Sequence, residues 1–246
     1  MRSRPEDWIV PDWPAPERVR ALITSRNGGS STGPYASMNL GLRVDDDPDA
    51  VEANRRLLQH FLPAEPRWLD QVHGTTVIDA ETLTHPVPAD ASVTKNPGCV
   101  SVVMVADCLP ILFANRTGSV VAAAHAGWRG LAGGVIENTI LALSVPPQNL
   151  LAYLGPAIGP SAFEVGNDVR DAFIAADQAA GLAFRPHKPG KWLADLFMLA
   201  RQRLARSGLL NVYGGGQCTY SDPVRFFSHR RDKVSGRMAA LIWIED

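Results

Sequence analysis

The chain has 246 residues, 46% hydrophobic and 20% charged, an ordinary globular composition with enough apolar side chain for a substantial core. A formal net charge of −1 gives no global field to hold nucleic acid or an anionic membrane, leaving room only for a local anion pocket. Three cysteines (Cys99, Cys108, Cys218) offer no disulfide framework, and the longest apolar stretch, Val100 to Ala114, is interrupted by Asp107 and Pro110, so a cytoplasmic protein is expected.

Residues 1–16 are rich in Pro, Trp and charge and lack the apolar run of a signal peptide. They are expected to form an irregular leader packed by Trp8, Ile9 and Trp13, with a single domain over 17–246. Arg18 to Ser25 alternates as a first strand. The segment Ser25 to Tyr35 is a loop by its Gly, Ser and Pro content: either a flexible connection, which its spacing favours, or an anion-binding loop in which Arg26 supplies a fork of donors. Asp47 and Pro48 open a helix that carries Val51, Leu57, Leu58 and Phe61. Arg67–Val72 and Thr75–Asp79 read as two strands joined at His73-Gly74. Pro86–Asn96 reads as a loop carrying Asp90.

Cys99–Val105 is a buried strand that ends in Ala106-Asp107-Cys108-Leu109-Pro110, after which Ile111–Ala114 resumes the apolar pattern. Asn115–Gly118 turns the chain into Val120–Ala124, which leaves no room for charge and reads as a strand covered on both faces. With the turn near 116 and 117, residue 108 falls about opposite residue 125. His125 then ends a strand and faces the start of a helix over 131–143, where free N–H groups favour an anion and Gly127 and Gly130 admit a ligand close to the backbone. Farther on, a strand is predicted at Leu150–Leu154 and a rigid loop at Gly155–Ser161. Two helices follow: one capped by Asn167, with Val169, Ala172, Phe173 and Ala176 inward and Gly181 at its end, and one over Leu193–Ser207. Late strands fall at Leu209–Tyr213 and Met238–Ile244. Between them, His229, Arg230 and Arg231 form either a solvated face or an anion-contacting segment.

Two histidines and a cysteine, each at a predicted strand end beside Gly or Pro, are the soft ligands this order can gather. His73, Cys108 and His125 would make an N/S/N group with a fourth position open, the arrangement of a catalytic zinc. Their spacing is not that of a zinc ribbon or finger, and such residues are often merely packed. The rival chemistry is a Cys108 thiolate activated by His125 as a nucleophile for acyl transfer.

Six motifs then occur in order. They are Ser25-Arg26-Asn27-Gly28-Gly29-Ser30 with Tyr35 and Asn39-Leu40-Gly41; Gln71-Val72-His73-Gly74; Ala106-Asp107-Cys108-Leu109-Pro110; His125-Ala126-Gly127-Trp128-Arg129-Gly130; Gly155-Pro156-Ala157-Ile158-Gly159; and Phe227-Ser228-His229-Arg230-Arg231-Asp232. Together they resemble the YfiH or laccase-domain family, whose members have been named polyphenol oxidases, purine nucleoside phosphorylases and peptidoglycan editing factors.

The resemblance implies an α+β fold, one domain with mixed β-sheets flanked by helices, and a zinc ion held by His73, Cys108 and His125. Copper would replace zinc on the oxidase reading. It also implies phosphorolysis of adenosine, inosine and S-methyl-5'-thioadenosine, with adenosine deamination as a companion activity. On that basis Cys108, His125 and Asp107 are expected at the reacting centre, with Asp107 moving a proton or holding a neighbouring N–H. Phosphate and nucleoside are expected near Arg26, Asn27, Gly28, Arg129, His229 and Arg230. Family members often carry a second cysteine shortly after the position of Cys218, where this chain has Ser221, which weakens any role for a second thiol.

Overall fold

The apolar runs assemble into three sheets in a computed structural model that describes residues 5–246. The largest has the strand order β11 (Val212–Gly214), β7 (Leu150–Leu154), β5 (Leu109–Asn115), β6 (Val121–Ala126), β3 (Ala91–Thr94) and β2 (Val77–Asp79). Its centre is antiparallel, and its two edge strands join in parallel. A second, antiparallel sheet of β1 (Val19–Ile23), β12 (Met238–Ile244) and β4 (Ser101–Val105) lies on one face of it. A small third sheet comprises β8 (Glu164–Gly166), β10 (Lys191–Ala194) and β9 (Phe184–Pro186). The helices are α1 (Pro48–Gln59), α2 (Trp128–Gly133), α3 (Val135–Leu143), α4 (Asn167–Ala176), α5 (Leu196–Arg206) and the single turn α6 (His229–Asp232).

β5 and β6 are buried along their whole length because each face meets a different layer. Ile111, Phe113, Ala122 and Ala124 pack with Leu131, Val135, Ile136 and Leu204 of the helical layer. Their neighbours Leu112, Ala114, Val121 and Ala123 pack with Ile23, Val103, Ala240 and Ile242 of the second sheet. Strands sandwiched in this way need apolar residues at every position, which is what the run 120–124 showed. The far side of the second sheet, with Leu22, Val102 and Leu241, is closed by Leu58 of α1, Met38 and Trp68. The leader is tied on where Ile9 and Ile23 exchange backbone hydrogen bonds of 2.8 Å.

Several expectations are corrected. Pro86–Asn96 is not all loop: Ala91–Thr94 forms β3, paired on both edges, a short buried strand hidden in sequence by Pro86 and Pro88. Arg67–Val72 is not a strand and makes only isolated bridges at Arg67 and Asp70. There the Gln71 side chain stands in for a backbone partner, with Nε2 donating to Met104 O at 2.8 Å and Oε1 accepting from Met104 N at 2.7 Å. The helix over 131–143 is two helices, α2 and α3, which part at Gly134, whose φ of 107° is left-handed backbone that a residue without Cβ adopts readily.

Asn167 does not cap α4. Gly166 is the N-cap, the Asn167 side chain accepts from Trp192 Nε1 at 2.7 Å, and the helix ends at Ala176 with Ala172 and Ala176 exposed. α5 starts at Leu196 because Lys191–Ala194 belongs to β10 and Asp195 caps the helix through Met198 N. The hairpin register places Pro110, not Cys108, opposite His125, so Cys108 lies two residues beyond, level with Gly127.

Candidate active site

Three separate segments deliver the ligand group. His125 lies on β6 and is 3% exposed. Cys108 is half-buried just before β5, and follows Asp107, whose φ is 90°. His73 is exposed in the loop before β2, with a φ of 60°. The two imidazole rings stand edge to face with centroids 4.8 Å apart, and Cys108 Sγ is 3.7 Å from His73 Nε2. The glycines of the 125–130 motif make this meeting possible. A Cβ on Gly127 would come within 2.9 Å of Cys108 Sγ and 3.0 Å of His73 Cδ2, and one on Gly130 within 2.6 Å of Gly74 O.

Asp90, immediately before β3 and fully buried, joins two of these segments. Its Oδ1 accepts from His125 Nδ1 at 2.8 Å and from His73 N at 2.9 Å. Its Oδ2 accepts from Gly74 N at 2.6 Å and Val72 N at 3.3 Å. One carboxylate thus holds the left-handed turn at His73 and occupies Nδ1 of His125, leaving Nε2 for the site. Burial works to raise the Asp90 carboxyl, but the hydrogen bonds from His125, Gly74 and Val72 and the charge of His125 outweigh it and hold it below its ordinary value.

Burial opposes ionisation of Cys108 as well, yet the charge and hydrogen bond of His125, aided by His73, bring its thiol down to about 6. Burial also works to lower His125, while the Cys108 thiolate and the Asp90 carboxylate push it up to about 9. Without a metal, the two groups thus favour each other's charged form, thiolate on Cys108 and imidazolium on His125.

The donor set suits a metal ion. The three ligand atoms lie within 4.8 Å of one another. Sulfur and nitrogen on one tetrahedral zinc would be about 3.6 Å apart at ordinary bond lengths, close to the 3.7 Å between Cys108 and His73. Among the described residues this is the one such group of three or more His, Cys, Asp or Glu. Of the other four histidines, three are engaged elsewhere: His60 on Arg56 O, His85 on Thr84, and His187 beside Glu164. His229 lines the cavity into which His73, Cys108 and His125 open.

The group opens into a cavity of about 660 Å³. Trp68, Trp128 and Phe163 contribute aromatic walls, and Arg43, Arg55, Arg129, Arg230 and Arg237 bring positive charge, with His229 beside them. Of the expected phosphate and substrate contacts, Arg129, His229 and Arg230 line this cavity. Arg129 is exposed and lies over the Trp128 ring at 4.4 Å, while Arg230 donates to Glu164 O at 2.7 Å.

Arg26, Asn27 and Gly28 do not line it, and the expectation for them is corrected. The Arg26 guanidinium donates to Ala36 O and Pro223 O, both at 3.0 Å, and stacks on Phe227, so it is occupied in stitching loops together. Asn27 Nδ2 donates to Asp7 and Val224 O, and Gly28 packs against Pro5. Asp107 lines the cavity, but both its oxygens are taken, Oδ1 by Thr219 Oγ1 at 2.6 Å and Oδ2 by Arg230 N at 2.7 Å, which favours holding an N–H over moving a proton. Sequence reasoning passed over Arg55 and Arg237, which sit in an ordinary helix and ahead of an ordinary strand. It named Asp90 only as a loop residue.

Similarity to known proteins covers almost the whole chain. Residues 20–245 match the family described as multi-copper polyphenol oxidoreductase laccase. A Pseudomonas aeruginosa protein named purine nucleoside phosphorylase is 56% identical over 240 residues, 97% of this chain and 99% of that one. YfiH of Escherichia coli, also named purine nucleoside phosphorylase, is 53% identical, with 96% and 98% covered. Among solved structures, a Neisseria meningitidis protein of the family DUF152 superposes with a TM-score of 0.95 at 52% identity, covering 98% of this chain and 100% of the other. YlmD from Geobacillus stearothermophilus does so with a TM-score of 0.86 at 33% identity, covering 94% and 93%.

Proposed function

We propose that this chain, which belongs to the laccase-domain family that includes YfiH, is a zinc-dependent purine nucleoside phosphorylase that cleaves adenosine, inosine and S-methyl-5'-thioadenosine with phosphate and also deaminates adenosine. The observation that carries this reading is the opening of the His73, Cys108 and His125 group into a cavity with aromatic walls and several arginines. Its size falls within the roughly 300–1,000 Å³ of small-molecule sites. Zinc, when bound, supplies Lewis acidity at its open position.

The chain's own residues do the rest. Asp90 fixes the ring of His125 and the turn at His73, so both ligands are placed before substrate arrives. Asp107 clamps the α6 segment against the site through Arg230 N. As phosphate attacks the anomeric carbon, negative charge leaves the phosphate and builds on the departing purine, and the arginine side chains of the cavity are placed for such charges in advance. Aromatic walls hold the base and exclude water. No helix among the described residues is long and apolar enough to cross a membrane.

The test is chromatographic analysis of zinc-loaded protein incubated with adenosine, with and without phosphate. Adenine and ribose 1-phosphate are expected only with phosphate, inosine in either case, and ribose 1-phosphate formation is expected to vanish in His73→Ala. Unchanged adenosine in both samples overturns the reading.

A second reading has an observation of its own. Cys108, His125 and Asp90 are arranged as a thiolate, an imidazole and an orienting carboxylate, the order of groups in a cysteine hydrolase. On that reading the protein hydrolyses a misassembled peptidoglycan precursor. Cell-wall precursor cleavage by metal-stripped protein, lost in Cys108→Ser, would favour it.

A further inference from the structure

The cavity's arginines differ in what already neutralises them. Arg43 pairs with Asp70. Arg230 is spent on Glu164 O and the Phe163 ring, and Arg129 extends into solvent. Arg55 and Arg237 are unlike these: both are half-buried, and neither forms a salt bridge among the described residues.

Their guanidinium groups are held by neutral partners alone. Arg55 donates from Nε and Nη2 to Leu40 O at 3.0 and 2.9 Å and lies 4.0 Å over the Trp68 ring. Arg237 donates from Nη1 to Ser235 O at 2.8 Å and Gly236 O at 3.1 Å. One short segment links the two. Leu40 accepts from Arg55 and donates its N–H to Arg237 O, while the Arg237 stem passes so close to Gly41 that a Cβ there would lie 2.8 Å from Cγ.

Arg55 Nη1 and Arg237 Nε and Nη2 have no protein acceptor among the described residues, yet none is a sealed orphan, and both side chains line the cavity. Burial holds each guanidinium below its ordinary value, with Glu52 and Glu65 opposing it for Arg55, and Cys108, Asp107 and Tyr35 for Arg237. Two half-desolvated cations on a rigid support, each with donors to spare, form a receptor that is costly while empty and strong when an anion fills it.

We infer that Arg55 and Arg237 form the oxyanion subsite of the cavity and take a phosphoryl dianion between them. Where that dianion is free phosphate the inference rests on the phosphorylase reading; the same chemistry would also take the phosphate ester of a nucleotide. The subsite lies by the Asn39-Leu40-Gly41 segment, on residues other than those expected from the sequence. The two arginines line the same cavity as Cys108 and Asp107.

Titration calorimetry of the zinc-loaded protein with inorganic phosphate, and separately with adenosine 5'-monophosphate, tests this. Arg55→Met and Arg237→Met are each expected to weaken binding of the phosphoryl group by at least about tenfold. In turnover, the KM for phosphate should rise by a like factor while that for adenosine stays nearly constant. Thermal unfolding checks that the variants are folded, and Arg237→Lys, which keeps the charge, should recover part of the affinity if Arg237→Met is not. Wild-type protein that binds neither probe, or folded variants that bind both like wild type, overturn the subsite. Phosphate binding lost in the variants of a protein that never cleaves adenosine upholds the subsite and removes the phosphorylase reading. Phosphorolysis with an unmoved phosphate KM does the reverse.

Discussion

Replacing Asp90 by Asn tests the frame on which the candidate metal group stands. The carboxylate takes four donors, two on each oxygen. An amide can keep the oxygen shared by His125 Nδ1 and His73 N, but it then points an NH2 at Gly74 N, now 2.6 Å away, and at Val72 N. Two charge-assisted bonds are lost, one of them short, and two buried donors are left facing a third. At about 1.5–3 kcal/mol for each bond to a charged group, the variant should lose about 3–5 kcal/mol of stability. Zinc affinity should fall about 10- to 100-fold, the usual effect of removing a group that orients a ligating histidine.

The pH dependence has a definite sign. Because the folded carboxyl lies below its unfolded value, its contribution is complete above about pH 4 and is lost as pH falls through the depressed folded value. The gap between wild type and Asp90→Asn should therefore close in acid, and it should also narrow as pH rises from about 6.5 toward 9, where the His125 imidazolium that Asp90 supports is lost. Denaturant unfolding of metal-stripped protein across pH 3–8, with zinc titrations at pH 7, measures both effects. A stability difference under about 1 kcal/mol at pH 7, together with unchanged zinc affinity, would refute the reasoning.

The other predictions address single contacts. In metal-stripped protein, alkylation of Cys108 should rise with pH about a midpoint near 6, since the lowered thiol is already ionised at neutrality; a midpoint near 8 or 9 would show that His125 does not act on it. Gly127→Ala should fold yet bind zinc weakly, because the new methyl falls 2.9 Å from Cys108 Sγ and 3.0 Å from His73 Cδ2; zinc titration beside circular dichroism separates the two effects. Arg26→Ala should lower stability by about 1–3 kcal/mol, through two carbonyls and a ring left without their cation, while the KM for phosphate stays unchanged. Phe113→Ala, at a fully buried position between sheet and helices, should cost about 3–5 kcal/mol in denaturant unfolding.

The long apolar runs were legible in the sequence because burial on both faces leaves no choice of residue: β5, β6, β7 and β12 lie where the apolar pattern put them. Helix α1 was legible through its Asp47 cap and Pro48. What escaped was structure made by side chains instead of backbone pattern, such as Gln71 filling a gap along β4, or a strand as short as β3 between prolines. At the site, the two histidines and the cysteine stood out as chemical types, and the fold brings them together. Asp90 and Arg237 did not stand out, because an aspartate in a polar segment and an arginine before a strand are ordinary until packing shows what faces them. Arg26 misled for the opposite reason: a glycine-rich loop with an arginine looks like an anion cradle, but here neighbouring carbonyls had already claimed it.

The candidate metal ligands His73, Cys108 and His125 come from three chain segments, the first held by Asp90 and the other two by the β5–β6 hairpin. The group rests on the pairing of β5 with β6 and on the apolar core behind them. An ion bound there would join a frame that strand pairing and apolar packing already hold. Chelators should empty the site and leave a folded, refillable protein, and metal in the medium should raise the melting temperature only in proportion to the logarithm of its concentration, as for any ligand of a native state.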